Sequence, residues 1–173
     1  MLNQTVTFFK GLRSTKPVKT MPILEVLQEI QNGTYKDKVE PCQLDLSKKD
    51  YLPCFTPTGV FNHRSIKGLE EYNGIMCLDI DHVEDPTALK SRASKLNYVG
   101  AAFITPSGKG LKVIIPTNAT AENYKEMEEK VSTAFFHDAG AARDNRCKDI
   151  ARIQFVSYDP NIYINENAVT FPG

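Results

Sequence analysis

Residues 74–81 read GIMCLDID, an apolar run entered through Gly74 and ending in two aspartates, Asp79 and Asp81. A short apolar run of this kind predicts a buried strand. Downstream, Asp85-Pro86 predicts a helix start, because Asp caps a first turn and proline suits the first helical position; the helix reaches about Leu96. Residues 98–105 (YVGAAFIT) read as a second strand, 106–110 (PSGKG) as a turn, and 111–115 (LKVII) as a third strand. Residues 120–137 have helical periodicity, with Tyr124, Met127, Val131 and Ala134 on one face, and 151–157 (ARIQFVS) read as a fourth strand. The order β-α-β-β-α-β predicts an α+β fold of the split βαββαβ, ferredoxin-like or RRM-like type. In that fold the strands lie in the spatial order 4-1-3-2, so the first strand has an antiparallel neighbour on each side.

Upstream the pattern is weaker. Residues 5–10 (TVTFFK) read as a short strand and 22–31 (PILEVLQEIQ) as a helix stopped by Asn32-Gly33, while Pro41, Pro53 and Pro57 punctuate a loop-rich stretch. Residues 1–70 are therefore expected as an N-terminal α/β extension packed on a core of residues 71–173, together one domain. At 173 residues the chain suits a single domain, and its ending NAVTFPG suggests that a larger protein continues beyond it. The N-terminus has no apolar signal core and no stretch has the length of a membrane span, which predicts a cytoplasmic protein without membrane contact.

Formal net charge is zero, with 21 basic and 21 acidic side chains, which disfavours a protein that merely coats nucleic acid. Local basic stretches remain: Lys10, Arg13, Lys16 and Lys19 in one, Arg143, Arg146, Lys148 and Arg152 in another. The cysteines form no CxxC pair. Cys42, Cys54, Cys147 and His63 match no standard zinc spacing and read as ordinary reduced, packed residues.

Three clusters carry chemistry. Asp79 and Asp81 share a strand face at roughly 6–7 Å backbone spacing, where a divalent cation relieves their repulsion. Magnesium is commonly held by one or two carboxylates plus substrate phosphates. Ser107, Gly108, Lys109, Gly110 and Lys112 form a glycine-flanked turn able to offer amides and cations to phosphate, although a plain hairpin turn has the same composition. The third cluster is Asp144, Asp149 and Arg152, before and within the fourth strand; a local salt bridge is the bland reading of the last two. The expected topology brings all three clusters to one sheet edge beside the end of the first strand.

The series DID (79–81), SGKGLK (107–112) and an Asp ahead of an Arg-bearing strand resembles the archaeo-eukaryotic primase-polymerases, in particular the primase-like group named for the VirE N-terminal region. GIMCLDID, TPSGKGLKVIIP and DIARIQFVSYDP carry the likeness, over about residues 50–165. The resemblance implies a DNA-replication nucleotidyltransferase using Mg²⁺ or Mn²⁺. Asp79, Asp81 and a third acid, Asp144 with Asp149 as alternative, would be its catalytic residues. Its partners would be nucleoside triphosphates, a single-stranded template and a helicase module in the same or another chain. Lys112 stands where the superfamily usually has a phosphate-contacting histidine, and Arg152 matches a position facing nucleotide or template. Three other readings compete: an RRM-like binding module, disfavoured because LKVII lacks aromatic residues; a metal nuclease of a mobile element; and a catalytically degenerate primase fold.

Overall fold

The structure, a computed structural model, describes residues 2–141 and 149–172. Asp144, with Arg143, Arg146, Cys147 and Lys148, lies outside them.

β-Branched and aromatic residues build β1 (Thr5–Phe9), which pairs antiparallel with β2 (Pro17–Pro22). α1 (Ile23–Asn32) buries Ile23, Val26, Leu27 and Ile30, an i, i+3, i+4, i+7 stripe, and ends at a left-handed Gly33. The region expected as loop around Pro41 contains α2 (Lys36–Leu44), held by burial of Val39 and Cys42. A 3-10 turn over Leu46–Tyr51 leads to β3 (Cys54–Thr56), and a hairpin of β4 (Gly59–Phe61) and β5 (Leu69–Tyr72) follows.

The regular half begins with β6 (Ile75–Ile80), α3 (Pro86–Ala93), β7 (Ala101–Ile104) and β8 (Leu111–Pro116), close to the elements read from sequence. Asp85 caps α3 by accepting a hydrogen bond from the Ala88 N–H at 2.9 Å. α4 (Tyr124–Ala139) follows, then two short strands, β9 (Gln154–Phe155) and β10 (Tyr163–Ile164).

These elements make a mixed α/β architecture with antiparallel sheets. One sheet has the order β2-β1-β3-β9 and the central sheet has the order β10-β7-β8-β6. The central sheet is buried on both faces. Ile75, Ala101, Phe103 and Ile114 face α1 and the first sheet through Val6, Phe8, Val26, Leu27 and Phe55. The alternate residues Met76, Leu78, Ile80, Ala102, Val113 and Ile115 pack on α3 and α4 through Leu89, Ala93, Met127, Val131 and Phe135.

The position of the fourth strand differs from the expected 4-1-3-2 order. Only Gln154 and Phe155 of the run 151–157 are strand, and they pair with Phe55 and Cys54 in the other sheet. Residues 149–152 turn instead of extending: the Asp149 carboxylate accepts from the Ala151 N–H, and the Asp149 carbonyl accepts from the Arg152 N–H. The Val156 N–H is then taken by the Pro53 carbonyl. β6 is thus a terminal strand, and the central sheet gains β10 at its opposite edge.

The segment after β9 is anchored by a buried ion pair. Asp159, 4% exposed, accepts from Lys90 Nζ on α3 at 2.6 Å and from the Ile104 N–H on β7 at 2.9 Å. Replacing one buried partner strands the other charge, at a cost of about 3–5 kcal/mol. Asp159→Asn is therefore expected to lower the melting temperature by roughly 10 °C, given about 2–4 °C per kcal/mol for a domain of this size. The double variant Lys90→Met/Asp159→Asn should recover part of that loss in the same thermal unfolding measurement. A double variant less stable than Asp159→Asn would refute this account.

Candidate functional site

Antiparallel pairing of β6 and β8 places Asp79 opposite Lys112 and Ile80 opposite Leu111. Lys112 has 1% of its surface exposed within a strand whose residues are all buried. Its ammonium lies 2.8 Å from Asp79 Oδ1 and also donates to the Gln154 side-chain oxygen on β9. One side chain thus bridges the two sheets. Burial pushes the Asp79 carboxyl up, but the charge and hydrogen bond of Lys112 outweigh this, with Lys49 and Arg152 adding to the pull; the net result lies below the ordinary carboxylate range.

Asp79 opens onto a cavity of about 130 Å³ that follows the terminal strand β6, where a fourth strand was expected. Cys77, Asp79 and Asp81 line it from β6 and its end, Pro57 and Thr58 from the loop after β3, and Arg152 and Gln154 from β9 and its approach. α4 closes it with Tyr124, Glu128, Ser132 and Phe136, one helix face at i, i+4, i+8 and i+12. The Thr58 hydroxyl donates to the Ile150 carbonyl at 2.6 Å and fixes the approach to β9. Burial pushes the Cys77 thiol up to about 12 against the opposing charge of Lys112, so it lines the cavity in its neutral form. Burial, then the neighbouring Tyr72, Cys77, Glu128 and Asp149, also raise the Tyr124 hydroxyl, keeping it a neutral donor.

The structure therefore brings together Asp79, Asp81, Lys112 and Arg152 from three separate stretches of chain. The other residues singled out in the sequence lie elsewhere. Asp149 lines a neighbouring hollow with Ile66, Lys125 and Ile150, and Tyr124 borders both hollows. The turn 107–110 does not line the cavity, and its polar groups are largely satisfied internally. The Gly108 N–H goes to the Thr105 carbonyl at 2.9 Å, the Lys109 N–H to the Ser107 hydroxyl, and the Lys109 carbonyl accepts from Val83 after β6. Gly110 has a packing role, since a Cβ there would sit 2.6 Å from the Ile80 carbonyl oxygen. Asp144 lies outside the described residues.

Residues 47–164 match the family described as BT4734-like, N-terminal domain. The chain belongs to that family. The match starts within the first 70 residues, so it takes in β3 and the loop bearing Pro57 and Thr58 as well as the central sheet of this BT4734-like domain. No curated protein and no solved structure matches the chain.

Sequence reasoning missed Glu128, Ser132 and Gln154. The four-residue spacing of Tyr124, Glu128, Ser132 and Phe136 was a readable signal of a second helix face beside the apolar one. Gln154 had none, because its role depends on β9 joining the other sheet.

The Lys112–Asp79 pair has a defined pH signature. Asp79 is held low in the folded state, so its contribution to stability is present above the ordinary carboxylate value and is lost as pH falls through the lowered one. In Lys112→Met the carboxylate is buried without its cation, costing about 3–5 kcal/mol at neutral pH. The stability gap to the parent should shrink as acid protonates Asp79. Urea unfolding between pH 3 and 8 measures this, and a pH-independent gap would contradict it.

Proposed function

We propose that this domain is a primase-polymerase-like nucleotidyltransferase module, in which nucleoside triphosphate and Mg²⁺ or Mn²⁺ meet at the Asp79–Asp81–Arg152 cavity and a single-stranded nucleic acid serves as template. The observation that carries this reading is the convergence of Asp79, Asp81 and Arg152 on one cavity, with Lys112 paired to Asp79. The resemblance of GIMCLDID, SGKGLK and DIARIQF to the primase-polymerases points the same way. On this reading β6-α3-β7-β8-α4-β9 is a split βαββαβ unit whose last strand has left β6 to join the neighbouring sheet.

The donor set fits such an ion. Asp79 and Asp81 are hard oxygen ligands bordering one cavity, and a magnesium ion takes one or two carboxylates when phosphates and water complete its shell. Among the described residues no cluster of three or more acidic, cysteine or histidine side chains is placed to hold a metal alone, so the substrate would complete the site. A bound divalent ion would supply charge stabilisation to the attacking and leaving oxygens. The chain's own groups have separate roles. Lys112 keeps Asp79 ionised, Gln154 fixes Lys112, and the exposed Arg152 guanidinium offers a fork of donors to phosphate. In the reaction a 3′-hydroxyl attacks the α-phosphorus and gives its proton to solvent, the bond to the bridging β-phosphate oxygen breaks, and pyrophosphate leaves with the electron pair.

One observation favours a second reading, a catalytically degenerate primase fold that still binds nucleic acid. Lys112 already neutralises Asp79 from a fully buried position, which substitutes an internal cation for part of a metal's charge. Two measurements separate the readings. Calorimetry with Mn²⁺ and a nucleoside triphosphate should show binding that Asp79→Ala and Asp81→Ala each weaken at least ten-fold. Template-directed incorporation should fall by at least about a hundred-fold in both variants and in Asp144→Ala, since a lost metal ligand removes several kcal/mol and each 1.36 kcal/mol is ten-fold. Nucleotide binding without incorporation by the parent selects the degenerate reading. Absence of both rejects the nucleotidyltransferase proposal.

A further inference from the structure

The 3-10 turn that carries Lys49 also walls a second hollow, of about 450 Å³, which the candidate site does not use. Lys10, Arg13 and Ser14 line it from the loop after β1, and Ser47, Asp50 and Tyr51 from the turn. The two walls are tied together. The Leu12 N–H donates to the Asp50 carbonyl at 3.2 Å, and a Cβ at Gly11 would sit 2.9 Å from that same oxygen. Arg64 clamps the loop from behind, donating from its guanidinium to the Leu12 carbonyl at 2.5 Å and from its backbone to the Thr15 carbonyl at 2.9 Å. The hollow is thus a braced surface.

Its chemistry is uneven in a specific way. Lys10, Arg13 and Lys48 are exposed, in a chain whose formal net charge is zero. Of the nearby acids, Asp45 is committed to the Ser47 N–H and hydroxyl, which leaves Asp50 as the acid in the lining. Tyr51 is 83% exposed, and Leu44 and Leu46, earlier in the same stretch of chain, are 94% and 58% exposed. Among the described residues neither Lys10 nor Arg13 is in an ion pair, and Tyr51, Leu44 and Leu46 join no buried cluster. Cations spaced around a bare aromatic ring suit a phosphodiester strand whose bases stack, because every base has a π-face and every linkage one negative charge.

The surface also continues toward the candidate site. Lys49 lies over the Phe155 ring at 5.1 Å, and its charge acts on Asp79. Phe155 follows Gln154, which lines the cavity with Arg152. The turn that bears Tyr51 in the hollow thus also carries Lys49, which contacts β9 beside the cavity-lining Gln154.

We infer that the hollow between residues 10–14 and 46–51 holds single-stranded nucleic acid, with Lys10 and Arg13 on its phosphates and Tyr51 stacked on a base. This rests on, and deepens, the reading above, since it supplies the template that reading requires; its test needs neither metal nor triphosphate.

The full chain is titrated against a fluorescent oligothymidylate, and against oligouridylate to compare DNA with RNA, by anisotropy at several salt concentrations without divalent ions. The parent should bind, and a duplex of equal length should bind at least ten-fold more weakly. Lys10→Glu/Arg13→Glu should weaken binding more than ten-fold and flatten the plot of log affinity against log salt by about 1.4, from two phosphate contacts at about 0.7 each. Tyr51→Ala should weaken binding roughly ten-fold to hundred-fold with the salt slope unchanged. These residues are on the surface, and circular dichroism should show parent-like folding. Because binding is read without metal or triphosphate, failure here and failure of the nucleotide-binding test are separate results. No binding by the parent, affinities unaffected by these substitutions, or equal affinity for an acidic peptide would overturn the inference.

Discussion

Placing an ammonium in the middle of a buried strand costs several kcal/mol unless a partner of opposite charge and a further acceptor meet it there. Lys112 imposes that condition, and the surrounding structure satisfies it. Asp79 must lie opposite on β6, which fixes the register of the central pair, because a slip by one residue would turn the carboxylate to the α3–α4 face. Gln154 must approach from the other sheet, which draws β9 toward β3. The contact thus ties register, inter-sheet packing and the position of the candidate site to one atom.

A consequence is the cavity itself. With β9 in the first sheet, β6 has no strand on its outer edge among the described residues, and the space is bounded by α4, the Pro57–Thr58 loop and Arg152. Terminal strands are usually blunted or covered. Among the described residues the surroundings are polar: Asp79, Asp81, Glu128, Ser132, Arg152 and Gln154 line one small volume. Such a gap beside a strand end is where a sheet can present carboxylates to a ligand while its hydrophobic faces stay sealed.

Much of the central sheet was legible because its signals are local. GIMCLDI, LKVII and the helix starts at Asp85-Pro86 and beyond Thr120 each combine a hydrophobic period with a boundary residue, and the structure follows them closely. The Lys112–Asp79 juxtaposition followed from antiparallel pairing alone. What was not legible depends on long-range partners. α2 contains a proline and is held by two buried side chains, and β9 is two residues long, with a place decided by Cys54, Phe55 and Lys112. The turn SGKG shows composition misleading in another way. Glycine suits close approach to a phosphate and close approach to a neighbouring strand equally well, and at Gly110 the neighbour is Ile80.

The same geometry divides labour between the aspartates. Asp79 is three-quarters buried, with a side-chain exposure of 23%, and is bound to Lys112, so part of its charge is spent inside the protein. Asp81 follows the last paired residue of β6, is exposed, and borders both the cavity and the hollow at the start of α3. His82 next to it adopts a positive φ of 55°, turning the chain sharply where Val83 is tethered to Lys109. Asp81 is thus held at the end of a rigid strand by a constrained turn, yet carries a carboxylate in contact with solvent. A pair made of one anchored, internally compensated acid and one exposed acid can admit a cationic or phosphate-bearing ligand without exposing two uncompensated charges in its absence. That asymmetry lets the site coexist with a stable sheet.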